Sequence, residues 1–103
     1  MPRPLGLTSL QILASVRDGA RYGLDIVAST GLASGTVYPT LARLQRAGLV
    51  RSRWEDQAVA EREGRPRRRY HELSAQGRRA LELGLRRVQG LAELAVRTAD
   101  GGR

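Results

Sequence analysis

Ser34-Gly35-Thr36-Val37-Tyr38-Pro39-Thr40-Leu41-Ala42-Arg43-Leu44, stopping at Ala47-Gly48, decides the fold. Val37, Tyr38, Leu41 and Leu44 recur at helical spacing. Ser34 stands where an N-cap hydroxyl belongs, Gly48 where a helix ends, and Pro39 falls within about the first turn, where a missing N–H costs little. The spacing predicts a short helix whose start gathers Ser34, Gly35 and Thr36.

Upstream, two more short helices are expected. Leu7, Leu10, Ile12, Leu13 and Val16 form an apolar face over about Leu7 to Val16, with Thr8 and Gln11 spaced as a capping box and Asp18-Gly19 as the stop. Leu24, Ile26 and Val27 mark a second helix over about Gly23 to Ser29, closed by Thr30-Gly31. Three helices joined by Gly-containing turns outline a helix-turn-helix.

Downstream the pattern changes. Leu49 to Trp54 roughly alternates, Glu55 to Pro66 is polar with no helical stripe of useful width, and Arg67 to Leu73 can pair back as a second strand. Two strands with a long basic loop after a third helix describe a wing. Ser74 then caps a final helix reaching about Val96. Its residues Leu81, Leu85, Val88, Ala92 and Ala95 step by four and three, widened by Leu91 and Leu94, and the helix is longer than so small a domain needs. The expected architecture is therefore mainly α with a small β-wing. A winged helix-turn-helix fills residues 1–73, a dimerisation helix packed as part of the same domain fills 74–98, and 99–103 form a disordered tail.

The 103 residues allow one modest core. Without Phe, that core must be built mostly from Leu, Val, Ile and Ala. With no Cys, disulfides and thiolate metal sites are excluded. No apolar run reaches the length of a signal or membrane segment, so the expectation is a cytoplasmic protein without membrane partners. All 18 basic residues are Arg and the net charge is +8, which suits contact with phosphate and guanine, although charge alone does not choose among polyanions.

Three stretches resemble the PadR family of bacterial transcriptional regulators. They are Tyr22-Gly23-Leu24-Asp25-Ile26; Ser34 to Leu44 followed by Gly48-Leu49-Val50; and Gly64-Arg65-Pro66-Arg67-Arg68-Arg69-Tyr70 followed by Leu73-Ser74 and Gly77. Together they span about residues 10–80 and are similar to the short branch, with one C-terminal helix. Mild departures are Ala33 near the helix start and His71-Glu72 in place of a more usual aromatic and basic pair. The resemblance implies a homodimeric repressor on a palindromic double-stranded DNA operator, released by a small-molecule effector, with no cofactor.

Candidate DNA-binding residues are Ser34, Gly35, Thr36, Tyr38, Thr40, Arg43, Arg65 and Arg67. Ser34 and Thr36 sit at a helix N-terminus, which favours phosphate, although Ser34 can equally serve as the cap. For Tyr38 the resemblance implies a phosphate contact; its spacing also suits the core. Arg43 can reach a base edge, a phosphate or only water. Arg65 and Arg67 flank Pro66 at the wing, where Arg suits a narrow minor groove. The dimerisation candidates are Leu81, Leu85, Val88, Leu91, Ala92 and Ala95. Trp54 reads as a packing residue under the wing and His71 as structural, since no second His or Cys exists to share a metal. One His, no Cys and scattered acids supply no catalytic constellation, so an enzyme is not expected. The alternatives are a basic nucleic-acid-binding module without operator specificity, or a winged helix that binds another protein.

Overall fold

The computed structural model describes residues 4–101, with side chains described through 97. Helices α1 (Leu7–Arg17), α2 (Gly23–Thr30) and α3 (Ser34–Arg46) lead into strand β1 (Val50–Trp54). A short helix α4 (Gln57–Glu63), strand β2 (Arg69–Leu73) and the long helix α5 (Ala75–Gly101) complete the chain. This is the expected winged helix-turn-helix, mainly helical with one two-stranded antiparallel sheet.

The apolar faces converge as their periodicity requires. Leu10, Ile12, Leu13 and Val16 of α1 meet Ile26 of α2, Val37, Leu41 and Leu44 of α3, Val50 and Leu73 of the strands, and Leu81 of α5. Aliphatic side chains thus carry the whole core. The one polar inclusion from α1, Ser15, is buried but hydrogen-bonded to Ser29 at 2.9 Å, which offsets the cost of its burial.

The helix starts differ from expectation. In α1 the N-cap is Gly6, without a side-chain bond, and Thr8 lies inside the helix, so no capping box forms. In α3 the bend falls at Ala33 (φ −65°, ψ 147°); Ser34 is already helical and caps nothing. Ser74, by contrast, does cap α5: its Oγ accepts from the Gly77 N–H at 3.0 Å and donates to the Gly48 carbonyl at 2.6 Å. That hydroxyl ties the exit of α3 to the start of α5.

Between the strands, the expected loop contains α4. Asp56 caps it by accepting from the Ala58 N–H at 2.9 Å, Gly64 closes it in the left-handed region (φ 65°), and Ala60 is its buried anchor. A helix of two turns with one buried small residue leaves no apolar stripe to read. In the sheet, Val50 pairs with Leu73, Ser52 with His71 and Trp54 with Arg69 on one face; Arg51 pairs with Glu72 and Arg53 with Tyr70 on the other. The wing is fastened to the helix-turn-helix by a bridge between Tyr22 and Tyr70 and by the His71 N–H donating to the Arg21 carbonyl at 2.7 Å.

Helix α5 divides into two halves. Its first turns lie against α1, with Leu81 only 1% exposed, Gly84 against the Leu10 side chain and Val88 partly buried on the core. Leu81 therefore belongs to the chain's own core and, contrary to expectation, is not available for dimerisation. Further along, Leu91, Ala92, Leu94, Ala95 and Val96 are exposed. The helix continues past Val96 to Gly101, so residues 99–101 are not the expected tail, and 102–103 lie outside the described residues. Among the described residues, no helix is long and apolar enough to cross a membrane.

Candidate nucleic-acid interface

Helix α3 buries Val37, Thr40, Leu41 and Leu44, which fixes the opposite face by helical geometry. Gly35, Pro39, Ala42 and Arg46 run along the centre of that exposed face, with Thr36 and Arg43 on one flank and Tyr38 and Gln45 on the other. Pro39 cannot donate to the Gly35 carbonyl, leaving that acceptor open on the exposed side. Ser34, Gly35, Thr36, Tyr38 and Arg43 are thus all on the surface.

Thr40 is not. It is 2% exposed, its hydroxyl donates to the Thr36 carbonyl at 2.7 Å, and it accepts from Arg43 Nη2 at 3.2 Å. The exposed face shifts by 100° per residue, and Thr40 falls on the core side. It orients Arg43 instead of contacting a ligand itself.

Tyr38 is 47% exposed and lies across α2. A Cβ added at Gly23 would stand 2.5 Å from its Cζ and 2.6 Å from its Oη, so the absence of a side chain at Gly23 makes room for the ring.

The wing arginines separate into distinct roles. Arg65 turns inward: Nη1 and Nη2 donate to the two carboxylate oxygens of Glu55 at 2.6 and 2.9 Å. Glu55 is buried and also accepts from the Tyr70 hydroxyl at 2.6 Å and the Arg68 N–H at 3.4 Å. Arg65 is therefore a bracket inside the wing and not part of the DNA-facing set; its fork of donors matches the two oxygens of the buried carboxylate. Arg67 and Arg69 remain outward, with guanidinium carbons 5.1 and 5.4 Å from the Trp54 ring centroid. Arg69 Nη2 also donates to Gln45 Oε1 of α3 at 3.3 Å, which places this face of the wing alongside α3. Trp54 is not packed under the wing as expected but is 52% exposed. Between the two elements lies an open groove of about 570 Å³, lined by Tyr38, Ala42, Gln45, Trp54 and the wing arginines and, among the described residues, by no acidic one.

Glu72, a source of phosphate repulsion if it faced outward with the arginines, shares the opposite strand face with Tyr70. His71 accepts or donates to Ser52 Oγ at 2.7 Å; burial, with Arg69 nearby, lowers its pKa. It is structural.

The Arg65 guanidinium and then the Tyr70 hydroxyl bring the Glu55 pKa from 4.5 down to about 2. The folded value lies below the unfolded one, so ionised Glu55 stabilises the wing fully above about pH 4.5. That contribution fades as the pH falls toward 2. Trp54 fluorescence, the sole tryptophan signal, should therefore keep its native position on acidification until this window and then shift. A Glu55→Gln variant should show the shifted signal already at neutral pH, with no further change across the window; a wild-type-like titration in that variant would remove Glu55 as the cause.

Three surface residues escaped the sequence reading. Arg46 follows Ala42 by four on the exposed face of α3, so strict helical arithmetic would have reached it. Arg69 is two residues after Arg67, and strand alternation places both on one side. Trp54 carries no sequence signal for exposure, because its position between strand and groove depends on tertiary placement.

Residues 12–83 match the profile of the transcriptional regulator PadR-like family. The chain belongs to this family. Its winged-helix structure is accordingly that of a transcriptional regulator, and solved structures agree at the level of fold. A PadR family transcription regulator from Clostridium difficile superposes with a TM-score of 0.79 at 20% identity, covering 91% of this chain and 99% of that one. A Streptococcus mutans protein gives 0.72 at 27% identity over 100% and 96%. Bordetella bronchiseptica BpsR, whose DNA binding is regulated by 6-hydroxynicotinic acid, gives 0.71 at 20% identity over 90% and 67%. No curated protein matches the chain. Within this PadR-like regulator, the matched segment contains all of α2, α3, the wing and the first turns of α5, but not the outer half of α5.

Proposed function

We propose that this PadR-like regulator is a homodimeric repressor that binds a palindromic operator, with α3 in the major groove and the wing on the flanking backbone or minor groove. The observation that carries the reading is the alignment of two surfaces. The Tyr38, Ala42 and Gln45 side of the exposed α3 face borders Arg67 and Arg69 of the wing, with no acid among the described residues lining the groove between them. Gly35 and Arg46 run along the centre of that face, and Thr36 and Arg43 along its far flank. Backbone and small side chains at the start of α3 permit close approach to a duplex, while the arginines supply the phosphate and guanine donors. Ser34, Tyr38 and the open N-terminal turn complete the contact surface.

The exposed stripe on α5 supports pairing of two copies: Leu85, Leu91, Ala92 and Ala95, continuing the line of Val88 beyond the protomer's own core. Two copies joined there present two α3 helices to successive turns of DNA. An effector that favours one angle between the protomers would release the operator through its differential affinity for the two arrangements.

Competition binding tests this function. With the DNA upstream of its own gene, and then neighbouring promoters, the wild type should retain its complex against excess random duplex at near-physiological salt. Arg43→Ala or Arg46→Ala should weaken that specific complex about tenfold or more. If random duplex displaces every promoter equally, operator recognition is wrong and a nonspecific nucleic-acid-binding module replaces it.

A further inference from the structure

Trp54 is the chain's sole tryptophan, and half of it is left open to solvent. It stands directly opposite Arg69 in the strand register, with Arg67 on the same side two residues earlier. Both guanidiniums lie over its ring, within the range at which a cation is attracted to an aromatic face. Neither has a carboxylate within ion-pair distance among the described residues. Glu55, next to Trp54 in sequence, is committed to Arg65, Tyr70 and the Arg68 backbone, and Glu72, three residues after Arg69, lies on the opposite strand face. Among the described residues, the one side-chain hydrogen bond of the pair joins Arg69 to the neutral Gln45 amide.

Two like charges gathered on one ring repel each other, and the ring face offsets only part of that. An anion placed between them removes the rest. A guanidinium resting on a ring keeps the N–H donors around its rim free, and its flexible stem is already ordered, so less freedom is lost when an anion arrives. The ring sits on the α3 side of the wing, where a duplex lying on α3 would carry its backbone.

We propose that Arg67, Trp54 and Arg69 form a phosphodiester-binding site, in which Trp54 is the positioning residue that holds both guanidiniums toward the DNA backbone. The inference rests on the DNA-binding reading above. It assigns Trp54 a role through the arginines and not through bases.

Phosphate contacts are independent of sequence, so a labelled random duplex titrated at several salt concentrations suffices as the probe. Trp54→Leu should weaken binding about tenfold and flatten the dependence of log K on log salt nearly as much as the Arg67→Ala/Arg69→Ala double variant. Trp54→Tyr, which keeps a ring, should recover most of the affinity and slope. In the double variant, adding Trp54→Leu should cause no further loss, and circular dichroism and melting temperature should match the wild type throughout. Duplex should also change wild-type Trp54 fluorescence.

Wild-type affinity and slope in Trp54→Leu, or an equal further loss without the two arginines, would overturn the assignment. Displacement of the duplex by a free mononucleotide at comparable phosphate concentration would reassign the site to a soluble phosphate ester. Absence of any salt-dependent duplex binding by the wild type would remove the DNA-binding reading and this inference together.

Discussion

Gly77→Ala lowers the melting temperature by on the order of 10–20 °C, because no rearrangement of side chains can absorb the added methyl. A Cβ at Gly77 meets the Leu49 carbonyl oxygen and stands 2.9 Å from the Leu49 carbonyl carbon, both backbone atoms. That carbonyl already accepts from the Ser74 N–H at 3.1 Å, and Ser74 in turn caps α5. Pushing α5 away from Leu49 therefore breaks the cap and draws Leu81 out of the core together. Overpacking of this kind costs about 3 kcal/mol. The paired control has the opposite sign. At Gly90, exposed on the same helix, a Cβ meets nothing within 4 Å. Gly90→Ala should stabilise the helix by up to about 1 kcal/mol, the propensity difference alone. Thermal melts of the two variants beside the wild type decide the matter, and equal melting temperatures for Gly77→Ala and Gly90→Ala would refute the close-approach argument.

On the proposed pairing, replacing Leu91 and Ala95 by Glu should convert the dimer into a monomer and reduce operator affinity a hundredfold or more. Leu91 is 61% exposed and Ala95 is also exposed, so neither substitution removes a contact within the protomer. In a helix pair, the same substitutions place four carboxylates in an apolar seam, where unpaired charge is strongly unfavourable. Loss of pairing turns a linked two-site interaction into two independent weak ones, which accounts for the size of the affinity loss. Sedimentation should find twice the 11.3 kDa chain mass for the wild type and the single mass for the variant. A wild type that sediments as a monomer would favour the reading in which α5 receives a different protein. A variant that remains dimeric would move the interface elsewhere.

The fold was legible because its elements are long enough to show a period. The Leu7-to-Val16 stripe, the Val37–Leu41–Leu44 ladder and the alternation leading from Val50 each repeat often enough to be distinguished from chance. Helix α4 escaped because its information lies in a cap, Asp56, and one buried Ala, not in a stripe. The cap positions at α1 and α3 were misplaced by one or two residues because Thr8 and Ser34 have the chemistry of a cap, whereas the backbone bends at Gly6 and Ala33.

On the candidate interface, sequence placed most of the exposed residues of α3 and misassigned Thr40, whose side depends on a phase set by the whole core. It also could not decide which arginine would meet Glu55. Arg65, Arg67, Arg68 and Arg69 are chemically identical, and only the path of the chain through α4 brings Arg65 back onto that carboxylate while leaving Arg67 and Arg69 on Trp54. For the same reason Leu81, spaced like the rest of its stripe, belongs to a different surface from Leu91.

The bridge between Tyr22 and Tyr70, with the His71-to-Arg21 hydrogen bond beside it, makes the helix-turn-helix and the wing one body. It behaves as a caliper whose jaws are welded at a set gap. Two such fastenings resist spreading, so the jaws turn together. For the proposed dimer on a duplex, a releasing signal would then act on the hinge between two calipers, and each half would leave the DNA intact and ready to measure again.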